Sequence, residues 1–93
     1  MKYFDWDEVK NGKLKTERDI GFEYCLIAIE EGIILDIMEN KNAKKYPNQK
    51  IFVININDYA YLIPFVEDEN KVFLKTIIPS RKATKQYIIN KNK

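Results

Sequence analysis

Ile51-Phe52-Val53-Ile54-Asn55-Ile56-Asn57-Asp58-Tyr59-Ala60-Tyr61-Leu62-Ile63-Pro64-Phe65-Val66 is the stretch that decides how this chain folds. Two apolar runs of strand length flank Asn57-Asp58, the residue types that a two-residue hairpin turn uses. In the first strand, Ile51–Ile56, the residues Phe52, Ile54 and Ile56 fall on one face. The second strand is Tyr59–Val66. Pro64 lacks a backbone N–H and suggests an edge or a bulge there.

Downstream, Asp68-Glu69-Asn70 forms a turn, and Val72–Ile78 reads as a third strand. Val72, Leu74, Thr76 and Ile78 share one of its faces; Phe73, Lys75 and Ile77 share the other. Pro79-Ser80 stops that strand, and Ser80 is the N-cap candidate of a last helix, Arg81 to about Ile89. Ala83, Tyr87 and Ile88 turn toward the sheet in that helix, which leaves Lys82, Lys85 and Gln86 more exposed.

Upstream, a loop rich in turn formers covers Asn40–Lys50, and Ile33–Met38 reads as a strand before it. Phe22, Cys25, Leu26 and Ile29 follow helical spacing over Phe22–Glu31, with Gly32 as the residue that ends the helix. A first helix runs from Trp6 to about Arg18. Asp5 is its N-cap, Glu8 sits at the capping-box position, and Phe4 and Val9 have staple spacing. Its apolar stripe (Trp6, Val9, Leu14) is thin, so it packs on something larger through Trp6. The expected architecture is α+β, with two N-terminal helices, a mainly antiparallel four-stranded sheet and a C-terminal helix. Ninety-three residues, 1–93, make one domain.

Charge is divided unevenly along this chain. Lys71, Lys75, Arg81, Lys82, Lys85, Lys91 and Lys93 lie in the last stretch, which holds no acid. The part before it is net acidic, and the whole carries +2. A local positive field of this kind is the usual footprint of a polyanion partner. No run approaches the roughly 20 apolar residues of a membrane span, and the N-terminus has no apolar signal core. The single cysteine, Cys25, fits a reducing cytoplasm and reads as a buried small hydrophobe.

There is no histidine. The commonest general base is therefore missing, as are Ser-His and Cys-His nucleophile pairs. With one cysteine as well, a zinc site has too few ligands, and no other metal or cofactor motif is present. Any catalysis must use Lys, Arg, Tyr, Asp or Glu. Lys75 lies mid-strand among apolar residues and reads either as part of a solvated face or as a phosphate contact. Arg81 and Lys82 oppose the dipole at the start of the last helix, a conflict that a bound anion relieves; the other reading is an ordinary basic surface. Tyr46, Tyr59, Tyr61 and Tyr87 are either packing residues or stacking surfaces for single-stranded RNA bases. Glu23, Glu30 and Glu31 read as a solvated helix face.

Phe4-Asp5-Trp6-Asp7, Lys13, Gly21-Phe22-Glu23 and the closing Ile77-Ile78-Pro79-Ser80-Arg81-Lys82-Ala83, with Tyr87 after it, resemble the BrnT family of bacterial toxins over nearly the whole chain. The resemblance implies a RelE-like fold and a metal-independent endoribonuclease that cleaves mRNA and inhibits growth in the cytoplasm. It implies an antitoxin partner that neutralises the toxin and brings the pair to operator DNA. The family's basic residues map onto Lys75 and Arg81 and the tyrosine of its last helix onto Tyr87, which are the catalytic candidates; Lys82, Lys85, Tyr59 and Tyr61 are the RNA-contact candidates that charge and aromatic character add. RNA supplies its own 2′-hydroxyl nucleophile, so such a site needs cations at the phosphate oxygens and a route for the proton. The alternative is a non-catalytic RelE-fold interaction module: a protein-directed toxin, or a decayed relative that binds only its antitoxin.

Overall fold

The hairpin forms where its turn residues place it. In the computed structural model, which describes residues 2–39 and 49–90, strand β3 (Gln49–Ile56) pairs antiparallel with β4 (Tyr59–Glu67) from Gln49↔Val66 to Ile56↔Tyr59. Asn57 and Asp58 both take left-handed backbone, φ 53° and 64°. Two consecutive positive φ values give a turn whose twist matches that of the flanking strands. The Asn55 side-chain oxygen accepts from the Asp58 N–H at 2.9 Å and secures it.

The other elements are β1 (Tyr3–Trp6), α1 (Glu8–Arg18), α2 (Phe22–Glu30), β2 (Ile34–Glu39), β5 (Lys71–Leu74), β6 (Ile78–Pro79) and α3 (Arg81–Thr84). A wider π-helical turn, Lys85–Ile89, continues α3, and the two together form the C-terminal helix. The sheet order is β1-β5-β4-β3-β2, with β6 also paired to β4. The class is α+β as expected. Among the described residues the sheet has six strands rather than four, and it is mixed because β1 runs parallel to β5.

Three expectations change, each for a physical reason. The segment expected to open the first helix, with Asp5 as cap and a Phe4–Val9 staple, is strand β1. Phe4 and Trp6 pack on the core while Tyr3 and Asp5 alternate to the other side, opposite Lys71 to Leu74. Asp7 is the real cap, accepting from the Val9 and Lys10 N–H groups at 2.9 and 3.4 Å. Local capping chemistry suits Asp5 and Asp7 alike; a pairing partner far along the chain decides between them.

The strand expected over Val72–Ile78 is broken between β5 and β6. Pro64, expected at an edge or bulge, lies buried in β4, an inner strand. Its carbonyl accepts from the Lys75 N–H at 2.8 Å, so the side where its own N–H would point faces the β5–β6 line. The missing donor coincides with the gap in that line. Lastly, the loop expected to reach Lys50 ends earlier, because Gln49 and Lys50 already pair in β3; its Asn40–Asn48 part lies outside the described residues.

Helix α2 ends as its glycine predicts. Gly32 has φ +76°, its N–H bonds the Ile29 carbonyl at 3.1 Å, and the Ile33 N–H bonds the Ala28 carbonyl at 2.9 Å. These two reversed bonds satisfy carbonyls that a helix end otherwise leaves open.

The corner between α1 and α2 is built on a buried amide, Asn11. Its Oδ1 accepts from the Phe22 N–H at 2.7 Å, and its Nδ2 donates to both Glu23 carboxylate oxygens at 3.0 Å. Lys15 Nζ donates to Glu23 Oε2 at 2.9 Å. The hydrogen bond from Asn11, then that from Lys15, holds the Glu23 carboxyl down to about 2. Glu23 is thus a bonded group rather than the purely solvated one expected. Gly21 fits because a Cβ there would stand 2.5 Å from Lys15 Cε and 2.7 Å from Glu23 Oε1.

The sheet is covered on both sides. Leu14 of α1 and Phe22 and Cys25 of α2 pack on Phe52, Ile54, Ile63, Phe65 and Leu74, with Phe52 and Phe65 stacked at 4.0 Å. Each large apolar side chain buried here contributes about 1.5–3 kcal/mol. Burial pushes the Cys25 thiol up to about 12, as suits an inert core cysteine. On the opposite side, Val53 and Ala60 meet Ala83 of the C-terminal helix, with Leu62, Tyr87 and Ile88 around them. That helix is short, and it covers only the part of the sheet nearest β2 to β4.

Candidate nucleic-acid interface

The C-terminal helix is bolted to β4 at its first turn. Ser80 Oγ accepts from the Ala83 N–H at 3.1 Å, the cap expected from sequence. The Ser80 N–H donates to the Ala60 carbonyl at 3.0 Å. Thr84 is buried; its hydroxyl donates to the Ser80 carbonyl at 2.7 Å and accepts from the Ala60 N–H at 2.8 Å. Ala83 and Thr84 therefore set the inward face. Lys82, Lys85 and Gln86 are left exposed on the outside, as the sequence spacing predicts, and Arg81 is exposed with them.

Tyr87 is half-buried and engaged. Its hydroxyl donates to Asp36 Oδ2 on β2 at 2.5 Å. That hydrogen bond, then burial, raises the phenol above its ordinary value, so the proton stays on the oxygen. Sequence reasoning missed Asp36. The available signal was that it is the lone acid inside the apolar run Ile33–Met38. A groove of about 500 Å³ runs beside this pair. Met38, Ile51 and Leu62 form its apolar floor, and Glu39, Lys82 and Tyr87 line it too.

Lys75 lies past the end of β5, exposed, with its ammonium 5.7 Å from the centre of the Phe73 ring. Val72 and Leu74 point into the core beneath the helices α1 and α2, so Phe73 points to the other side of the sheet. Lys75 thus shares a side with the C-terminal helix. Lys75, Arg81, Lys82, Lys85 and Tyr87 therefore lie on the same side of the sheet.

Tyr59 and Tyr61 are not on that side. Both alternate with Ala60 and Leu62, which face the C-terminal helix, so the two tyrosines lie on the α1–α2 side. Their rings meet edge to face at 5.7 Å, and Tyr61 packs against the main core. Tyr46, Lys91 and Lys93 lie outside the described residues.

Among the described residues, no helix is long and apolar enough to cross a membrane. Compared with protein-family models, curated proteins and solved structures, the chain gives no significant match.

Proposed function

We propose that this chain is a RelE-like toxin of the BrnT kind, an endoribonuclease restrained by a cognate antitoxin. The observation that carries the reading is the placement of Arg81, Lys82 and Lys85 on the outward face of a helix fixed to the sheet, with Lys75 on the same side. Four exposed cations on one surface, with none needed by the core, suit a phosphate backbone.

The reaction needs little from the protein. The substrate's 2′-oxygen attacks the adjacent phosphorus, the bond to the 5′-oxygen breaks, and the products are a 2′,3′-cyclic phosphate and a 5′-hydroxyl. Arg81 would neutralise the non-bridging oxygens bidentately as charge builds on them. Solvent water takes the proton that leaves the 2′-oxygen, and the Lys75 ammonium would give one to the departing 5′-oxygen, regaining it from solvent.

The second reading, a non-catalytic interaction module, is favoured by the Tyr87–Asp36 bond. With its hydroxyl committed to a carboxylate and its proton held tightly, Tyr87 is a weak acid and no base. Cleavage of single-stranded RNA by the purified chain in EDTA separates the two. Cleavage that Arg81→Ala abolishes supports the ribonuclease. Absence of cleavage in both proteins, together with growth arrest on expression, supports the module.

A further inference from the structure

Beyond the C-terminal helix, no element among the described residues covers the same side of the sheet over β1 and β5. Tyr3 is 58% exposed there. In the parallel β1–β5 ladder Tyr3 stands opposite Lys71, and Asp5 stands opposite Phe73. Phe4 and Trp6 turn to the core, so Tyr3 and Asp5 lie on the open side with Phe73. Along β5 the open side reads Lys71, Phe73, Lys75, an aromatic ring with a cation on each flank. The two ammonium groups lie 5.8 and 5.7 Å from the ring centre.

We propose that Tyr3 and Phe73 form a stacking platform for the bases of single-stranded RNA, with Lys71 and Lys75 at the flanking phosphates. This rests on the RNA-directed reading above and extends its site from the C-terminal helix across the sheet. Two physical features select this occupant. Aromatic faces alternating with cations match a polymer in which flat bases alternate with anionic phosphates, and stacking is indifferent to which base is present. Diagonal neighbours on adjacent strands stand about 7–8 Å apart, close enough for consecutive nucleotides of an extended strand to reach both rings. The lysine ammoniums lie against the Phe73 ring, and their long stems let them swing to the phosphates when a base takes the ring face.

The charge count is modest at this end. Lys71 Nζ lies 3.8 Å from Asp5 Oδ2, so Asp5 offsets part of its charge. Lys75 is then the principal cation of the platform, and it lies on the same side of the sheet as Arg81 and Lys82. Tyr59 and Tyr61, the aromatic contacts suggested by sequence, lie on the other side of the sheet, so Tyr3 and Phe73 take that role.

The test is binding of a fluorescent oligouridylate to the full chain at low ionic strength. Phe73→Leu and Tyr3→Leu should each weaken binding on the order of tenfold, the usual scale for loss of one base stack. Lys75→Gln should weaken binding and flatten its salt dependence. Phe73→Trp should retain affinity, and its added fluorescence, above that of Trp6 in the wild type, should be quenched by unlabelled RNA. That variant decides the matter if Phe73→Leu does not fold. Wild-type affinity in both leucine variants, or no quenching of the added signal in Phe73→Trp, overturns the platform while loss of binding in Arg81→Ala keeps the RNA-directed reading. Absence of binding by the wild type removes both.

Discussion

Two polar clusters in this molecule use their hydrogen-bonding groups differently. At the α1–α2 corner, Asn11, Lys15 and Glu23 spend their hydrogen-bonding groups on one another and on the Phe22 N–H. On the C-terminal helix, the folding bonds are made by Ser80 and Thr84, and Arg81, Lys82 and Lys85 stand exposed beside them. The difference teaches that charge alone does not identify a binding surface. Charge left over after local folding needs are met is the better sign.

The largest effect expected from breaking this contrast is in the corner. Asn11→Ala leaves the buried Phe22 N–H unpaired and strips two bonds from Glu23, so it should cost about 2–3 kcal/mol. At this chain length that lowers Tm by roughly 10 °C or more, read by thermal melting. RNA affinity per folded molecule should stay the same.

The converse experiment removes the three helix cations together. Replacing Arg81, Lys82 and Lys85 with alanine should change stability by less than about 0.5 kcal/mol, as exposed substitutions do. Affinity for single-stranded RNA should fall at least roughly tenfold, and the slope of log K against log salt should drop by about 2. A fall in Tm matching that of Asn11→Ala would erase the distinction between the clusters.

Acid sharpens the contrast further. Glu23 has its folded value, about 2, below its ordinary 4.5. A depressed carboxylate contributes stability that is fully present above pH 4.5 and lost as pH falls toward 2. Its side chain is 49% exposed, so solvent screening keeps the contribution small. Urea midpoints should therefore separate wild type from Glu23→Gln at about pH 6 and converge near about pH 2.

The smallest expected effect concerns Tyr87. Its hydroxyl is held protonated by the Asp36 carboxylate, so Asp36→Asn should bring the phenol back down toward its ordinary value, followed by absorbance of the phenolate. Tyr87→Phe should leave growth inhibition intact if the chain is an interaction module, and reduce it if Tyr87 passes a proton.

Much of this was legible along the chain because it depends on neighbours in sequence. Asn57-Asp58 specified its turn, Gly32 its helix end and Ser80 its cap, each by backbone preferences or by bonds reaching only a few residues. The exposed side of the last helix followed from spacing alone. What the sequence by itself determined, then, was the order of most elements, the class of the fold and the position of the C-terminal charge.

Only the tertiary structure decided the rest, since it turns on partners distant in the chain. Tyr3–Trp6 became a strand because β5 lies alongside it, not because of any signal close by in sequence. The break in the strand beginning at Val72 follows from Pro64 on the neighbouring strand. Asp36 and Tyr87 meet across 51 positions, and Asn11 and Glu23 across 12. Tyr59 and Phe73 look equally able to stack on a base in the sequence, and alternation against a two-sided core sent them to opposite sides of the sheet. Periodicity tells which residues share a face; only packing tells which face remains open.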